Sequence, residues 1–160
     1  MKAVIQRVSR ASVSVNGEIV SSIQRGLCVL LGMSRHDQPG EIDYMVRKIL
    51  NIRLFEDDNG KRWSKSAKDL ELEILCVSQF TLHSILKGNK PDFHRSMEAE
   101  RAEQMYGQFL DQMRKAYVKD RIKDGKFGEM MSVNIENDGP VTIQLESPNE
   151  ATNQSSTSSS

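Results

Sequence analysis

The stretch on which the fold depends reads Gly26-Leu27-Cys28-Val29-Leu30-Leu31-Gly32, an apolar run between two glycines. The run is too short for a stable helix, and it contains no polar residue that would face water. Such a run is typical of a strand that is covered on both faces. We therefore expect this strand to lie at the centre of a sheet.

The residues before this run alternate between apolar and polar types, as in strands with one buried face. Residues 3–8 and 11–15 show this alternation. Asn16-Gly17 follows and is a strong hairpin signal, because both residues tolerate a positive φ. Residues 18–23 then return as the next strand, so the sequence begins with antiparallel strands.

Two later segments show helical periodicity, since apolar residues recur every three or four positions between Gln38-Pro39-Gly40 and Asn51 and again from about residue 98 to 117. The two apolar stripes consist of Ile42, Met45, Val46, Ile49 and Leu50, and of Ala102, Met105, Tyr106, Phe109, Leu110 and Met113. Each stripe predicts an amphipathic helix that packs on the sheet.

The remaining apolar segments predict strands at residues 52–55, 70–77, 130–135 and 141–145. Asn137-Asp138-Gly139-Pro140 lies between the last two, and its residue types predict a turn. The pattern favours an α+β fold with a mainly antiparallel, partly barrel-like sheet and two principal helices. We expect one domain over residues 1–148, followed by a disordered Ser-rich tail at 149–160.

The composition argues against several classes of protein. The chain of 160 residues has 22 basic and 22 acidic residues, so no net charge attracts nucleic acid to the whole surface. No apolar run is long enough for a membrane span or a secretory signal, which predicts a cytoplasmic protein. Cys28 and Cys76 lie in apolar runs, where we expect free, buried thiols. The spacing of cysteines and histidines matches no metal site, and we expect neither metal nor cofactor.

The sequence offers no convincing catalytic acid or base. His36, His83 and His94 lie in polar segments, and we interpret them as surface histidines. The absence of a Gly-rich phosphate loop argues against nucleotide hydrolysis. Ser78-Gln79-Phe80-Thr81 places polar side chains where an apolar strand leaves the core, which favours a ligand site and an ordinary strand end about equally.

Gly139-Pro140 has two interpretations. As part of a turn it needs no function. However, an X-Pro bond adopts the cis form at a cost of about 0.5–1 kcal/mol, and a cis bond would direct two successive carbonyl oxygens to the same side. Such a pair could bind an ammonium group.

Ser78-Gln79-Phe80-Thr81-Leu82 and Asn137-Asp138-Gly139-Pro140-Val141-Thr142 together resemble the signature pair of the D-aminoacyl-tRNA deacylase (D-tyrosyl-tRNA deacylase) family. Residues 1–8 and 87–94 also resemble this family, and the likeness covers about residues 1–148. The resemblance implies an editing hydrolase that cleaves the ester joining a D-amino acid, or glycine, to the terminal adenosine of tRNA. It also implies that L-aminoacyl-tRNA is rejected.

The resemblance further implies the residues of the site. Those of the catalytic pocket would be Ser78, Gln79, Phe80 and Thr81, and those on the adenine side Phe127 and Met131. The 2′-hydroxyl of the tRNA would assist attack on its own ester, leaving the protein to position the substrate and stabilise the oxyanion.

Family members are homodimers in which the Gly-Pro motif of one subunit enters the active site of the other. Gly139 and Pro140 would accordingly form a cis pair whose carbonyl oxygens bind the substrate's α-ammonium, with Arg7 and Asn137 supporting the motif. A D-side chain would then point into open space. An L-side chain would collide with the Gly-Pro backbone.

Two other functions remain open. One is a non-enzymatic nucleic-acid-binding protein, against which the zero net charge counts. The other is a related deacylase acting on an L-aminoacyl-tRNA, against which Phe80 and Val141 count. The basic residues near the loops are Lys87, Lys90, Arg95, Lys123 and Lys126. They either contact the phosphates of the acceptor stem or form a solvated cluster of charges.

Overall fold

The computed structural model describes residues 1–148, so the predicted tail at 149–160 lies outside the described residues. The strands are β1 (Lys2–Val15), β2 (Glu18–Ile23), β3 (Gly26–Gly32), β4 (Glu73–Ser78), β5 (Ile85–Lys87), β6 (Lys90–Asp92), β7 (Ile122–Asp124) and β8 (Ser132–Glu146). The α-helices are α1 (Pro39–Asn51) and α2 (Ala99–Ala116). This architecture confirms the predicted α+β fold with two principal helices.

Strand β1 organises the main sheet because it is long enough to pair with three neighbours. Its first half pairs with β3 and its second half with β2, while β8 runs antiparallel along its other edge. Asn16 and Gly17 form the turn between β1 and β2 with φ values of 52° and 81°, as the sequence predicts.

Strand β3 lies between β1 and β4, and its residues are buried except for the half-buried Leu30. This confirms its predicted central position. The pairs β3–β4 and β4–β7 are parallel, so the sheet is mixed where it continues beyond β3. The Ser21 hydroxyl of β2 donates to the carbonyl oxygen of Asp124 in β7 at 2.6 Å, which draws the two ends of the sheet together. The sheet is therefore partly barrel-like, as predicted.

Hydrophobic cores lie on both faces of the sheet. Both helical stripes are buried in the larger core, which also contains Ile5, Leu31 and Cys76. The smaller core contains Val13, Cys28 and other side chains on the opposite face of the same strands. Burying one large aliphatic side chain contributes about 1.5–3 kcal/mol, so both cores stabilise the sheet. Cys28 and Cys76 are free and buried, as expected.

The predicted turn at residues 137–140 is wrong. These residues belong to the long strand β8, in which Asn137 pairs with Val8 and Thr142 pairs with Gln6. Residues 138–141 therefore lie opposite Arg7 alone and bulge out of the strand. Turn-forming residue types mark a bulge here because β1 pairs with β8 on both sides of them.

Three further local predictions differ from the structure. The predicted strand at residues 52–55 is reduced to an isolated bridge between Phe55 and Lys65. Strand β4 begins at Glu73, since residues 67–71 form a turn. His83 was expected at the surface but is 7% exposed, because its Nε2 makes a 2.9 Å hydrogen bond with the carbonyl oxygen of Gly32. Within residues 1–148, neither helix combines the length and the apolar character that crossing a membrane requires.

Candidate active site

A cleft of about 830 Å³ opens where β4 leaves the sheet. One part of its lining consists of residues 77–80 at the end of β4, and another of residues 127–131 between β7 and β8. Residues 96–99, which lead into α2, close one end. Three segments that are far apart in sequence therefore meet around one concave surface.

The first part of this lining, the first wall, carries the polar segment that the sequence analysis singled out. The backbone N–H of Gln79 donates to the carbonyl oxygen of Leu31 at 2.8 Å, which prolongs the β3–β4 pairing by one residue. A 3-10 turn at Phe80–His83 then reverses the chain. Ser78, Gln79 and Phe80 line the cleft, whereas Thr81 is not among the lining residues. Thr81 is held next to them because the Gln79 side-chain amide donates to its Oγ1 at 2.5 Å.

Two backbone donors on this wall are free within the described part of the chain. The N–H groups of Phe80 and Thr81 begin the 3-10 turn and have no hydrogen-bond partner among residues 1–148. Backbone N–H groups of this kind can stabilise an oxyanion without reorganising during the reaction. The wall thus combines hydroxyl, amide and backbone donors.

An aromatic pair stands at the mouth of the cleft. Phe80 is 57% exposed and packs edge-to-face against Phe93, with 5.1 Å between ring centroids. The Ser96 hydroxyl donates to the carbonyl oxygen of Phe80 at 2.9 Å and fixes this wall. Sequence reasoning missed Phe93 and Ser96 as lining residues, although an aromatic residue inside a polar loop is a signal that could have indicated Phe93.

Phe127 and Met131 lie in the second part of the lining, the second wall, as the resemblance implies. The ring of Phe127 lies 5.8 Å from that of the buried Tyr106, whose hydroxyl donates to Asp124 Oδ1 at 2.5 Å. Burial raises the pKa of Asp124 above its ordinary value. The backbone N–H of Lys126 contacts Met131 Sδ at 3.3 Å. These contacts hold the 127–131 segment against α2.

The Gly139-Pro140 bulge lies on β8, and its residues are not among those that line the cleft of the same chain. Both residues are exposed, and the bond between them is cis, as predicted. Arg7 donates from Nη1 to the carbonyl oxygen of Leu54 at 2.7 Å and from Nε to that of Asp138 at 3.3 Å. Its Nε also lies 3.2 Å from the Asp138 carboxylate.

Asn137 holds the other end of the bulge. Its Oδ1 accepts a hydrogen bond from the backbone N–H of Val141 at 3.1 Å, and its Nδ2 contacts the side chain of Gln6. Arg7 and Asn137 therefore contact the motif from β1 and from β8 itself. These contacts fit the supporting role that the resemblance implies for both residues.

The titratable side chains of the cleft are Glu98 and Glu129, and both are exposed. No group of three or more His, Cys, Asp or Glu side chains within residues 1–148 is arranged to hold a metal ion. The arrangement can bind a flat ring between apolar walls and can position a polar group against the hydroxyl, amide and backbone donors of residues 78–81.

Comparison with known proteins identifies the family to which this chain is similar. Residues 4–146 match the family described as "D-Tyr-tRNA(Tyr) deacylase". The chain is 64% identical over 148 residues to "D-aminoacyl-tRNA deacylase 1" of Homo sapiens, covering 92% of this chain and 71% of that protein. It is 61% identical to "D-aminoacyl-tRNA deacylase" of Drosophila melanogaster, covering 92% of this chain and 93% of that protein.

These matches place the chain among the hydrolases. More particularly, the chain belongs to the D-Tyr-tRNA(Tyr) deacylase family, as its two motifs predict. A solved structure described as "c-Myc DNA Unwinding Element Binding Protein" is similar with a TM-score of 0.91 and 64% identity. The similarity covers 93% of this chain and 100% of that one.

Proposed function

We propose that this protein hydrolyses the ester between a D-amino acid, or glycine, and the terminal adenosine of tRNA, and that it rejects L-aminoacyl-tRNA. The observation that carries the proposal is that Ser78, Gln79 and Phe80 line one cleft together with Phe127 and Met131. Relatives at 64% identity, named D-aminoacyl-tRNA deacylase 1, support the same substrate. We also propose that the protein acts in the cytoplasm.

The terminal adenosine binds between the walls of the cleft. Phe127 and Met131 offer an apolar surface for the adenine, and stacking of one base on an aromatic ring is worth about 1–3 kcal/mol. The ester then lies against residues 78–81, where the side-chain and backbone donors are concentrated. Binding the adenosine thus fixes the reacting carbonyl.

Catalysis relies on the positioning of the substrate and on the 2′-hydroxyl of the tRNA itself. Water attacks the ester carbonyl, the 2′-hydroxyl of the terminal ribose assists the attack, and the N–H groups of Phe80 and Thr81 stabilise the oxyanion. The carbon–oxygen bond to the 3′-oxygen breaks, and that oxygen takes up a proton to give free tRNA and a free amino acid. This route needs no side-chain base, which agrees with a cleft whose carboxylates are exposed.

A homodimer completes the site. The partner subunit's Gly139 and the partner subunit's Pro140 enter the cleft, and their carbonyl oxygens bind the α-ammonium of the substrate. The motif supports this arrangement because it is exposed, lies away from its own cleft and is held by Arg7 and Asn137. An L-side chain would collide with main-chain atoms, which no change of rotamer relieves, whereas glycine has no side chain to exclude.

Mixing two inactive variants tests the cross-subunit site. Gly139→Trp blocks the motif and Ser78→Trp fills the cleft, so each homodimer lacks activity. Random reassociation at equal concentrations gives mixed dimers in which one site combines an intact cleft with an intact motif, and about one quarter of wild-type activity should return. No recovery, with both variants folded and mixed dimers detected by native mass spectrometry, would show that cleft and motif act within one subunit.

The activity itself is tested by incubating the protein with D-tyrosyl-, L-tyrosyl- and glycyl-tRNA and following ester loss. We expect the D-tyrosyl and glycyl esters to be cleaved and the L-tyrosyl ester to survive. Cleavage of the L-ester at a comparable rate would replace the proposal with a deacylase of other specificity. A chain ending at residue 148 should keep full activity, because we propose that residues 1–148 form the whole catalytic domain.

Binding to DNA is the second candidate function, favoured by the similar structure described as a DNA unwinding element binding protein. A protein with that function alone would retard a duplex DNA fragment in a gel at physiological salt and leave all three esters intact. We expect the opposite result, because the chain carries no net positive charge.

A further inference from the structure

We propose that Arg35 and Arg95 form a binding site for RNA phosphodiester groups at one rim of the cleft. The site would hold the nucleotides that precede the terminal adenosine of tRNA. This inference rests on the proposed function, since it takes the 3′ end of tRNA to enter the cleft.

The two arginines are brought together by backbone pairing at the edge of the cleft. Ser34 and Ser96 form an isolated antiparallel bridge, and the backbone N–H of Arg35 donates to the carbonyl oxygen of Arg95 at 3.0 Å. The next contact inward joins Met97 N–H to the carbonyl oxygen of Met33 at 3.1 Å, and both methionines line the cleft. Arg95 therefore lies one residue, and Arg35 two residues, outside the lining.

Both arginines are exposed, and neither belongs to an ion pair of the described residues. Residues 33–36 and 93–97 contain these two arginines and no carboxylate, so these two segments carry a formal charge of +2, and the next residue, Glu98, is an exposed carboxylate that lines the cleft. Two other acidic residues next to these segments, Asp37 and Asp92, are engaged elsewhere. Asp37 is buried and accepts a hydrogen bond from the Met1 ammonium at 2.7 Å, and Asp92 is paired with Lys87 at 3.2 Å.

The rim is also held in place. Arg35 donates from Nη1 to the carbonyl oxygen of His94 at 3.4 Å and from Nε to His36 Nε2 at 3.2 Å. Arg101, from the first turns of α2, donates to the carbonyl oxygens of Arg35 and Asp37 at 3.2 and 3.0 Å. A guanidinium has five N–H donors in a planar fork, so Arg35 keeps donors for a phosphate after making both contacts.

The rim beside residues 127–131 lacks this positive charge. Lys126 and Glu129 are both exposed there and their formal charges cancel, and the neighbouring Met130 is 90% exposed. Of the basic residues that the sequence offers near the loops, the geometry thus favours Arg95 over Lys126 and adds Arg35. A nucleotide chain leaving the cleft toward Arg35 and Arg95 would exchange counterions for two fixed charges.

Two substrates separate phosphate binding from catalysis. D-tyrosyl-tRNA carries the phosphodiester chain, whereas D-tyrosyl-adenosine carries the same ester without it. For Arg35→Gln and Arg95→Gln we expect kcat/KM on the tRNA to fall about 3- to 10-fold each and kcat/KM on the adenosine ester to stay unchanged. Arg47→Gln is the matched control, because Arg47 is an exposed arginine on α1 and does not line this cleft.

Binding of uncharged tRNA, measured by fluorescence anisotropy at several salt concentrations, is the second readout. Each variant should reduce the slope of log K against log salt by about 0.7. An equal loss on both substrates would assign the arginines a structural role, and variants that behave like Arg47→Gln would show that no phosphate binds there. If the wild-type protein cleaves neither ester, the proposed function fails, whereas the anisotropy still decides this inference.

Discussion

Gly139→Ala is the substitution that most directly strains the motif proposed to enter the partner's cleft. Gly139 has a φ of +123°, a conformation that residues with a side chain rarely adopt. A Cβ at this position would lie 2.9 Å from Val141 Cγ2, 3.0 Å from the Val141 backbone nitrogen and 3.2 Å from Arg7 Nη2. The new methyl group therefore meets both the bulge and the side chain that supports it.

The expected effect on stability follows from these contacts. The unfavourable φ costs about 1–3 kcal/mol. Overpacking adds about 1–3 kcal/mol, because a backbone nitrogen cannot move away by a change of rotamer. Together the two terms amount to about 2–6 kcal/mol, so the melting temperature should fall by about 4–24 °C at roughly 2–4 °C per kcal/mol. A displacement of the bulge by about 1 Å should lower the deacylation rate about 100-fold.

Gly60→Ala is the matched control. Gly60 has a φ of +77° but nothing within 4 Å of the added Cβ. Only the unfavourable φ then lowers the stability, by about 1–2 kcal/mol. Activity should be retained. Melting is followed by circular dichroism and ester loss by filter binding of labelled D-tyrosyl-tRNA. Wild-type activity in Gly139→Ala would refute the placement of this glycine in the site.

Three further outcomes are expected. Thr81→Ala should slow hydrolysis less than about tenfold, whereas a tRNA ending in 2′-deoxyadenosine should be almost inert, as single-turnover kinetics would show. Burial lowers the pKa of His83 below its ordinary value, so the unfolded chain takes up a proton on this side chain before the folded chain does as the pH falls. The free energy of unfolding, measured by urea titration, should therefore decline below about pH 6.5. The decline should be less steep in His83→Gln. Burial raises the pKa of Cys28 to about 12 and that of Cys76 further, so a thiol reagent at about pH 8 should modify both only after denaturation.

Elements with a strong local signal could be predicted from the sequence. The apolar run of β3 and the stripes of α1 and α2 carry their burial pattern in their own residues, and Asn16-Gly17 has turn chemistry that fits a hairpin. These elements agree with the structure because local preference and tertiary packing point the same way.

Features that depend on distant partners could not be predicted. The residues of the Gly139-Pro140 bulge are the same types that form turns, and only pairing with β1 on both sides makes them part of β8. His83 is polar and lies in a polar stretch, but its hydrogen bond to Gly32 spans 51 positions. The periodicity of the sequence shows neither the pairing with β1 nor the hydrogen bond between His83 and Gly32.

In the candidate site, too, some residues could be predicted from the sequence and others could not. Its motif residues were identified through a family resemblance, because no side-chain base or metal pattern marks the cleft. Phe93 and Ser96 were missed, since they reach the cleft through the Ser34–Ser96 bridge and the contact with Phe80. A non-local backbone contact of this kind has no signature in a single sequence.

The most direct measurement is a crystal structure of the protein with D-tyrosyl-3′-amino-adenosine, in which an amide replaces the ester. The account predicts adenine against Phe127 and Met131, the amide carbonyl against residues 78–81, and the ammonium about 3 Å from the carbonyl oxygens of the partner subunit's Gly139 and the partner subunit's Pro140. A ligand outside the cleft, a motif that does not reach the ammonium, or an L-tyrosyl analogue bound in the same pose would contradict it.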